Sequence, residues 1–323
     1  MPRASAKSTL SPGTHTGKTH AWAKLYPFAK DVLHYDKMEP QPHTEMCGYL
    51  DDIVQSVLYP TASLIQTKGM LLVPRGCFKT TVGTVALSLK VLEANPNARI
   101  LIDTHTWDYS CQILSEIKQH LEYNEAFIKL FGDWKENSTK WAEDAITIGR
   151  RTQALKEPSI DTSGVDKSKN GGHYDLIIAD DLHEEKNSAT EAGRVKVWRH
   201  IQSLYPILNP GGVLLLNGTR WHHSDAYGRI IQKNREAFKA QKPEPFRVLH
   251  RSCFNKDGTL YFPTQLTHEF LAQMRLECDD KMFAVWYLNQ PIEDSSKYFP
   301  EKYIQFFDGS YVIDRGQPTL EIY

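Results

Sequence analysis

The chain has 323 residues, 41% hydrophobic and 24% charged, with 38 Lys and Arg against 39 Asp and Glu for a net charge of −1. These are ordinary globular values, and no run approaches the roughly 18 apolar residues of a membrane-spanning helix, so a soluble chain without a membrane partner is expected. The near-neutral balance excludes a global basic field, so any nucleic-acid contact must come from a local patch or from several assembled copies.

Residues 1 to about 20 are rich in Ser, Thr, Lys, Pro and Gly without periodicity and are read as a flexible arm. The arm holds a decoy, Pro12-Gly-Thr-His-Thr-Gly-Lys-Thr19, which has the ending of a phosphate loop but no apolar strand before it. It also lacks a signal-peptide core, and the five scattered cysteines are odd in number, which together predict reduced thiols in a cytoplasm. From Trp22 to about Tyr59 the pattern is helical, with Pro40 and Pro42 marking a break before a segment that starts near Thr44.

After Gly69 the rhythm changes to alternating strands and helices. Strands are predicted at Met70–Val73, Arg99–Asp103, Ala145–Ile148, Leu176–Ala179, Val213–Leu216 and Phe246–Leu249. Helices are predicted at Thr80–Ala94, Trp107–Tyr123, Thr190–Leu204 and Asp225–Lys233. This alternation implies an α/β fold with a mainly parallel sheet, helices on both faces, and a ligand beyond the strands' C-terminal ends. Beyond about residue 250 the rhythm stops: Thr267–Glu277 and Lys281–Leu288 read as helices, then Pro291 and Pro300 interrupt a polar, aromatic tail.

Three strand ends carry chemistry. In Gly69-Met-Leu-Leu-Val-Pro-Arg-Gly-Cys-Phe-Lys-Thr-Thr81 an apolar strand feeds a tight turn, and the turn opens a helix. A helix start offers free backbone N–H groups and a positive dipole end, so phosphates fit there, with Lys79 neutralising them and Thr80 holding Mg²⁺. The strict G-x-x-x-x-G-K-[ST] pattern is not met, because Val73 and Phe78 stand at the glycine positions. The second, Tyr174-Asp-Leu-Ile-Ile-Ala-Asp-Asp-Leu182, is a buried strand ending in paired carboxylates. Asp180 is read as the metal ligand and Asp181 as the group that polarises water, with Glu184 or Glu185 as stand-ins. The third, Gly212 to Asp225, ends in Thr219 and Arg220, which could sense a γ-phosphate. A zinc site of His222, His223 and Asp225 is the weaker alternative there, since adjacent side chains of an extended segment point to opposite sides.

These three stretches, in this order, resemble the ATPase domain of the large terminase subunit, the motor that packages DNA into tailed-phage heads. The resemblance runs over roughly residues 22 to 300. Pro74-Arg75-Gly76-Cys77-Phe78-Lys79-Thr80, with Thr81 after it, looks like that family's deviant Walker A, Leu176–Asp181 like its Walker B strand, and Gly218-Thr219-Arg220-Trp221-His222 like its coupling motif. Pro42–Leu50, Glu157–Ile160 and Leu288–Pro291 are similar to flanking patterns. The resemblance implies that His43 contacts adenine, that Arg75 reaches phosphate, and that a cation from a neighbouring subunit completes each site. Lys167 and Lys169, in the Ser163–Gly172 loop, are the candidates for that cation, with Arg150, Arg151, Arg194 and Arg199 behind them.

The resemblance further implies a RecA-like, additional-strand P-loop fold with a small helical lid. Residues 1–20 are the arm, 21–250 the ATPase core, its N-terminal helices contributing to the lid, and 251–323 the lid and a linker. ATP and Mg²⁺ are the implied cofactors. Double-stranded DNA, a homo-oligomeric ring, the small terminase subunit and a portal protein are the implied partners, in the cytoplasm of an infected bacterial host. Family members continue into an RNase H-like nuclease, and this chain ends at Tyr323, near where that domain would begin, so an isolated motor domain without nuclease activity is expected. The rivals are a helicase-like ATPase on the same core and a non-catalytic nucleic-acid-binding module with a vestigial nucleotide site.

Overall fold

The computed structural model describes residues 23–59, 65–169 and 171–291, together with the backbone of two short strands at 312–314 and 317–319. The arm, its Gly-Lys-Thr decoy and most of the tail after Pro291 lie outside the described residues.

The chain opens with a helical turn, α1 (Leu25–Pro27), which runs into a π-helical turn at Phe28–Val32. Helices α2 (Pro40–Ile53) and α3 (Gln55–Leu58) follow. Gln41 is non-helical at φ −105° and ψ 120°, so the expected break lies there, and the helix proper starts a little before Thr44. Strand β1 (Thr67–Leu72) leads through the Pro74–Thr80 turn into a π-helical segment, Thr81–Ala86, continued by α4 (Leu87–Ala94). Next come β2 (Ile100–Thr104), α5 (Trp107–Tyr123), α6 (Glu125–Phe131) and the short strands β3 (Lys140–Trp141) and β4 (Ala145–Thr147). β5 (Ile160–Gly164), β6 (Tyr174–Asp180), α7 (Glu185–Ala189) and α8 (Glu191–Leu204) precede β7 (Leu208–Gly218) and α9 (Ala226–Lys239). β8 (Arg247–His250), α10 (His268–Glu277) and α11 (Asp280–Phe283), prolonged by a π-helical turn at Ala284–Leu288, complete the main body. Two further strands, β9 (Val312–Asp314) and β10 (Gln317–Thr319), pair antiparallel with each other.

The sheet has eight strands in the order β3-β4-β5-β2-β6-β7-β1-β8, parallel except where β3 and β4 join. β7 lies between β1, which launches the Pro74–Thr80 turn, and β6, which ends in the Asp-Asp pair. One strand inserted between those two is the arrangement of an additional-strand P-loop fold of the RecA type, as expected.

Successive strand residues point to opposite faces, and the core separates accordingly. Leu71, Val73, Ile100, Ile102, Leu176, Ile178, Val213 and Leu215 join the apolar cluster under α2, α4 and α5. Met70, Leu72, Leu101, Ile177, Ala179, Leu214 and Leu216 join the cluster under α8 and α9. Burial on both faces explains why these strands read as continuous apolar runs, each fully buried side chain contributing about 1.5–3 kcal/mol.

The strand β5 was not foreseen. Its residues Ile-Asp-Thr-Ser-Gly are all buried, yet four of them lack the apolar character that marks a core strand. Their polar groups are satisfied sideways: Tyr174 Oη donates to Asp161 at 2.7 Å, Thr162 Oγ1 donates to the Asp144 carbonyl at 2.8 Å, and Ser163 donates to Asp103. Ser163 and Gly164 therefore belong to a strand, and the expected cationic loop begins only after them.

Candidate functional site

The Pro74–Thr80 turn, the Asp-Asp pair and the Asn217-Gly218-Thr219 segment meet at the C-terminal edge of β1, β6 and β7. Gly76 adopts φ +87° and Phe78 φ +55°. The second position is one where the strict motif has glycine, and Phe78 adopts the glycine-like left-handed conformation at a cost of about 1–2 kcal/mol. Its ring is held in compensation, stacked on His43 at 5.4 Å and edge-on to Phe262 at 5.8 Å.

Lys79 Nζ lies 2.8 Å from Asp181 Oδ2. Burial disfavours the ammonium, but the carboxylates of Asp181 and Asp180 outweigh it and raise its pKa, so Lys79 is charged. Asp181 itself sits at φ +47°, its amide donating to the Asn217 carbonyl at 2.9 Å. Asp180 is fully buried. Burial raises its pKa, Asp181's charge adds to the rise, and Lys79 with the Thr84 and Thr80 hydroxyls partly offsets it.

One oxygen of Asp180 accepts from Thr84 Oγ1 at 2.7 Å, while the other, Oδ1, is buried without a partner. A buried, unpartnered carboxylate oxygen beside a threonine-bearing helix start fits a hard cation, which takes oxygen ligands and shares them with phosphates. Asp180 and Thr80 are the residues that would hold Mg²⁺. No group of three or more His, Cys, Asp or Glu side chains among the described residues is arranged around a metal. At the alternative site, Asp225 already accepts from Arg220 Nε and from the amides of Trp221, His222 and Gly228.

Several contributors escaped the sequence reading. Thr84, one turn beyond Thr80, also accepts from Asn217 Nδ2 at 3.2 Å, which leaves Asn217 Oδ1 buried and unpartnered. Gly83 permits that approach, since a Cβ there would lie 2.7 Å from Asn217 Nδ2. Tyr109, on the first turn of α5, belongs to the same environment: burial raises its pKa, the charges of Asp180 and Asp181 add to the rise, and Lys79 and Thr80 partly offset it. His105 packs on Tyr109 and lies 3.9 Å from Glu184. The only sequence signal for these residues is their position one turn beyond a motif or just after a strand end.

His43 is buried; burial lowers its pKa to about 4, and its Nε2 has no partner, so a neutral ring faces Phe78 with one free polar edge. Arg75 is exposed, its guanidinium 4.8 Å over the Trp286 ring and its amide donating to the Trp286 carbonyl at 2.8 Å. Pro74 and Cys77 are buried inside the turn, and Thr81 begins the π-helical segment.

Thr219 and Arg220 are buried. Arg220 is engaged by Asp225 and by the His222 and His223 carbonyls, and its amide donates to Asn289 Oδ1 at 2.8 Å. Gly218 packs where a Cβ would lie 2.5 Å from Tyr227 Oη. Lys169 is paired with Asp161, and Lys167 Nζ sits 3.4 Å from the Trp107 ring centroid. Arg150 covers Trp134, Arg151 and Arg194 bond carbonyls, and Arg199 is exposed.

No family model matches the chain. A large terminase subunit from Enterobacteria phage T3 is 38% identical over 143 residues, which are 42% of this chain and 22% of that protein. The chain is thus similar to the large terminase subunit of a phage, as its motifs suggested. Among solved structures, the HK97 bacteriophage large terminase aligns with TM-score 0.48 and 13% identity over 79% of this chain and 51% of that one. The large terminase of a thermophilic bacteriophage aligns with TM-score 0.39 and 10% identity over 76% and 53%. Its complex with ADP aligns with TM-score 0.37 and 12% identity over 72% and 51%. The chain spans about half the length of these structures and less than a quarter of the phage T3 subunit.

Proposed function

We propose that this chain is a Mg²⁺-dependent ATPase that drives the translocation of double-stranded DNA in phage genome packaging. The observation that carries the reading is the meeting of Lys79, at a helix start, with the Asp180-Asp181 pair, one of whose buried oxygens is unpartnered. Phosphates entering the turn would compete with Asp181 for Lys79. That exchange frees the Asp181 carboxylate to orient and deprotonate the attacking water, with Glu184, half exposed beside His105, as the alternative base. Asp180 and Thr80 would hold Mg²⁺, which would supply charge neutralisation to the phosphates. Arg75 would leave Trp286 to reach the phosphates, and the free edge of His43 would face the adenine.

In a homo-oligomeric ring acting with a small terminase subunit and a portal protein, Lys167 or Lys169 would complete the neighbouring site after leaving Trp107 or Asp161. Residues 251–323 together with the N-terminal helices would act as the lid, and Gly218-Thr219-Arg220 would report the phosphate state.

Turnover of ATP by the full chain, measured with and without Mg²⁺ and linear duplex DNA, tests the reading. Wild-type protein should hydrolyse ATP only with Mg²⁺. Lys79→Ala should lose at least about 10²-fold, the scale of removing one charge-stabilising donor, and Lys18→Ala should change nothing. Full activity in Lys79→Ala, or loss in Lys18→Ala, overturns it.

A further inference from the structure

The helix α9 starts where the nucleotide site ends. Its first amide, Ala226 N–H, donates to His183 Nε2 at 2.9 Å, and His183 lies two residues beyond Asp181. Burial lowers the His183 pKa to about 4, so the ring is neutral; Nε2 accepts, and Nδ1 can donate to Ser188 Oγ at 3.0 Å. The N-cap Asp225 accepts from Gly228 N–H at 2.6 Å and holds Arg220 of the β7 strand end. Tyr227 Oη reaches the Asn217 carbonyl at 3.4 Å. Both strand ends that flank the proposed γ-phosphate position therefore grip the first turn of a single helix.

The outer face of that helix is basic. Between Ala226 and Lys242 the sequence has Arg229, Lys233, Arg235, Lys239 and Lys242 against one acid, Glu236, in a chain whose overall charge is −1. All but Arg229 are exposed. Arg235 and Lys239 fall at i and i+4 and make one stripe, and Lys242 follows in the turn just past the helix end. Arg229 and Lys233 make a second, with Lys233 lying 4.7 Å over the Trp198 ring of α8. Phe238, 73% exposed, stands beside the first stripe.

We propose that the outer face of α9, from Arg229 to Lys239, together with Lys242 in the turn that follows, is the surface with which this chain grips the phosphate backbone of duplex DNA. The inference rests on the packaging reading and supplies the local patch that a near-neutral chain requires. One strand of duplex DNA presents a phosphate about every 3.4 Å, so a 14-residue helix of roughly 21 Å lies along about six of them, and its cations can neutralise a share of that row. A rotation of about 5° at the anchored first turn would move the Lys239 end by roughly 2 Å over that length. The anchoring gives the site a lever whose far end touches the load.

The test compares the full wild-type chain, Lys233→Gln/Arg235→Gln/Lys239→Gln/Lys242→Gln and a control, Lys129→Gln/Lys140→Gln/Lys186→Gln/Lys256→Gln, for binding to a fluorescent duplex across a salt series and for ATP turnover without DNA. Glutamine keeps helix propensity while removing charge. The α9 variant should retain wild-type DNA-free turnover, and its slope of log affinity on log salt should flatten by about 0.9 for each phosphate no longer neutralised, while the control keeps the wild-type slope. Wild-type slope and affinity in the α9 variant overturn the proposal and leave the ATPase reading standing, and so does an equal loss in the control. Wild-type protein that hydrolyses ATP but binds no duplex at low salt overturns both the α9 assignment and the packaging reading.

Discussion

Asp180→Asn should make the ligand-free protein more stable while disabling it. Burial pushes the Asp180 carboxyl from 3.8 up to about 6, with Asp181's negative charge adding to the effect. The folded chain thus holds this proton more tightly than the unfolded chain does. Stability therefore falls as pH rises from 3.8 through about 6, and by pH 8 the penalty amounts to about 3 kcal/mol. Below 3.8 both states are protonated and the penalty vanishes.

Asparagine removes the charge and keeps an acceptor for Thr84. Calorimetric melting in EDTA at pH 8 should show the variant several degrees above wild type, since about 1 kcal/mol moves the midpoint by roughly 2 °C in a large domain. At pH 4 most of that advantage should be gone. In parallel, Mg²⁺-dependent binding of a nucleotide analogue should be lost. A variant that melts below wild type at pH 8, or gains equally at pH 4, would refute the reasoning.

Asp181→Asn should retain Mg²⁺-dependent nucleotide binding and lose turnover by at least about 10²-fold, the scale of general base catalysis. If it turns over normally in a single-turnover assay while Glu184→Gln or Glu185→Gln does not, the water-activating role passes to that glutamate. Gly218→Ala forces a methyl to 2.5 Å from the buried Tyr227 hydroxyl, an overpacking cost of about 1–3 kcal/mol. Its midpoint should fall by a few degrees and its turnover should drop as Thr219 shifts; an unchanged melt with full turnover would show that the strand end yields freely.

The parallel core strands were legible because burial on both faces demands unbroken apolar runs, as at Met70–Val73 and Leu176–Ala179. Caps were legible too: Thr190, Asp225 and Thr267 each accept from an amide three residues on, where helices were expected to begin. β5 was hidden because its buried polar groups find partners on other elements, which no period in its own sequence records. The position of the Pro74–Thr80 turn followed from a strand, a lysine and a helix start in succession. Its internal wiring did not. Thr84 and Asn217 meet only because β7 inserts beside β6, and Phe78 substitutes for glycine only because His43 and Phe262, distant in sequence, flank its ring.

The short turn from Trp286 to Asn289 accepts the Arg75 amide at one end and the Arg220 amide at the other, and the Asn289 carbonyl contacts His250 Nε2 at 2.9 Å. Two amides remote from each other in the chain are thereby shielded by the same few residues. Solvent cannot reach either one through that turn until the turn itself lifts, so their deuterium uptake should be governed by one opening event rather than two. The Pro74–Thr80 turn and the β7 strand end should then breathe as neighbours in a single cooperative unit.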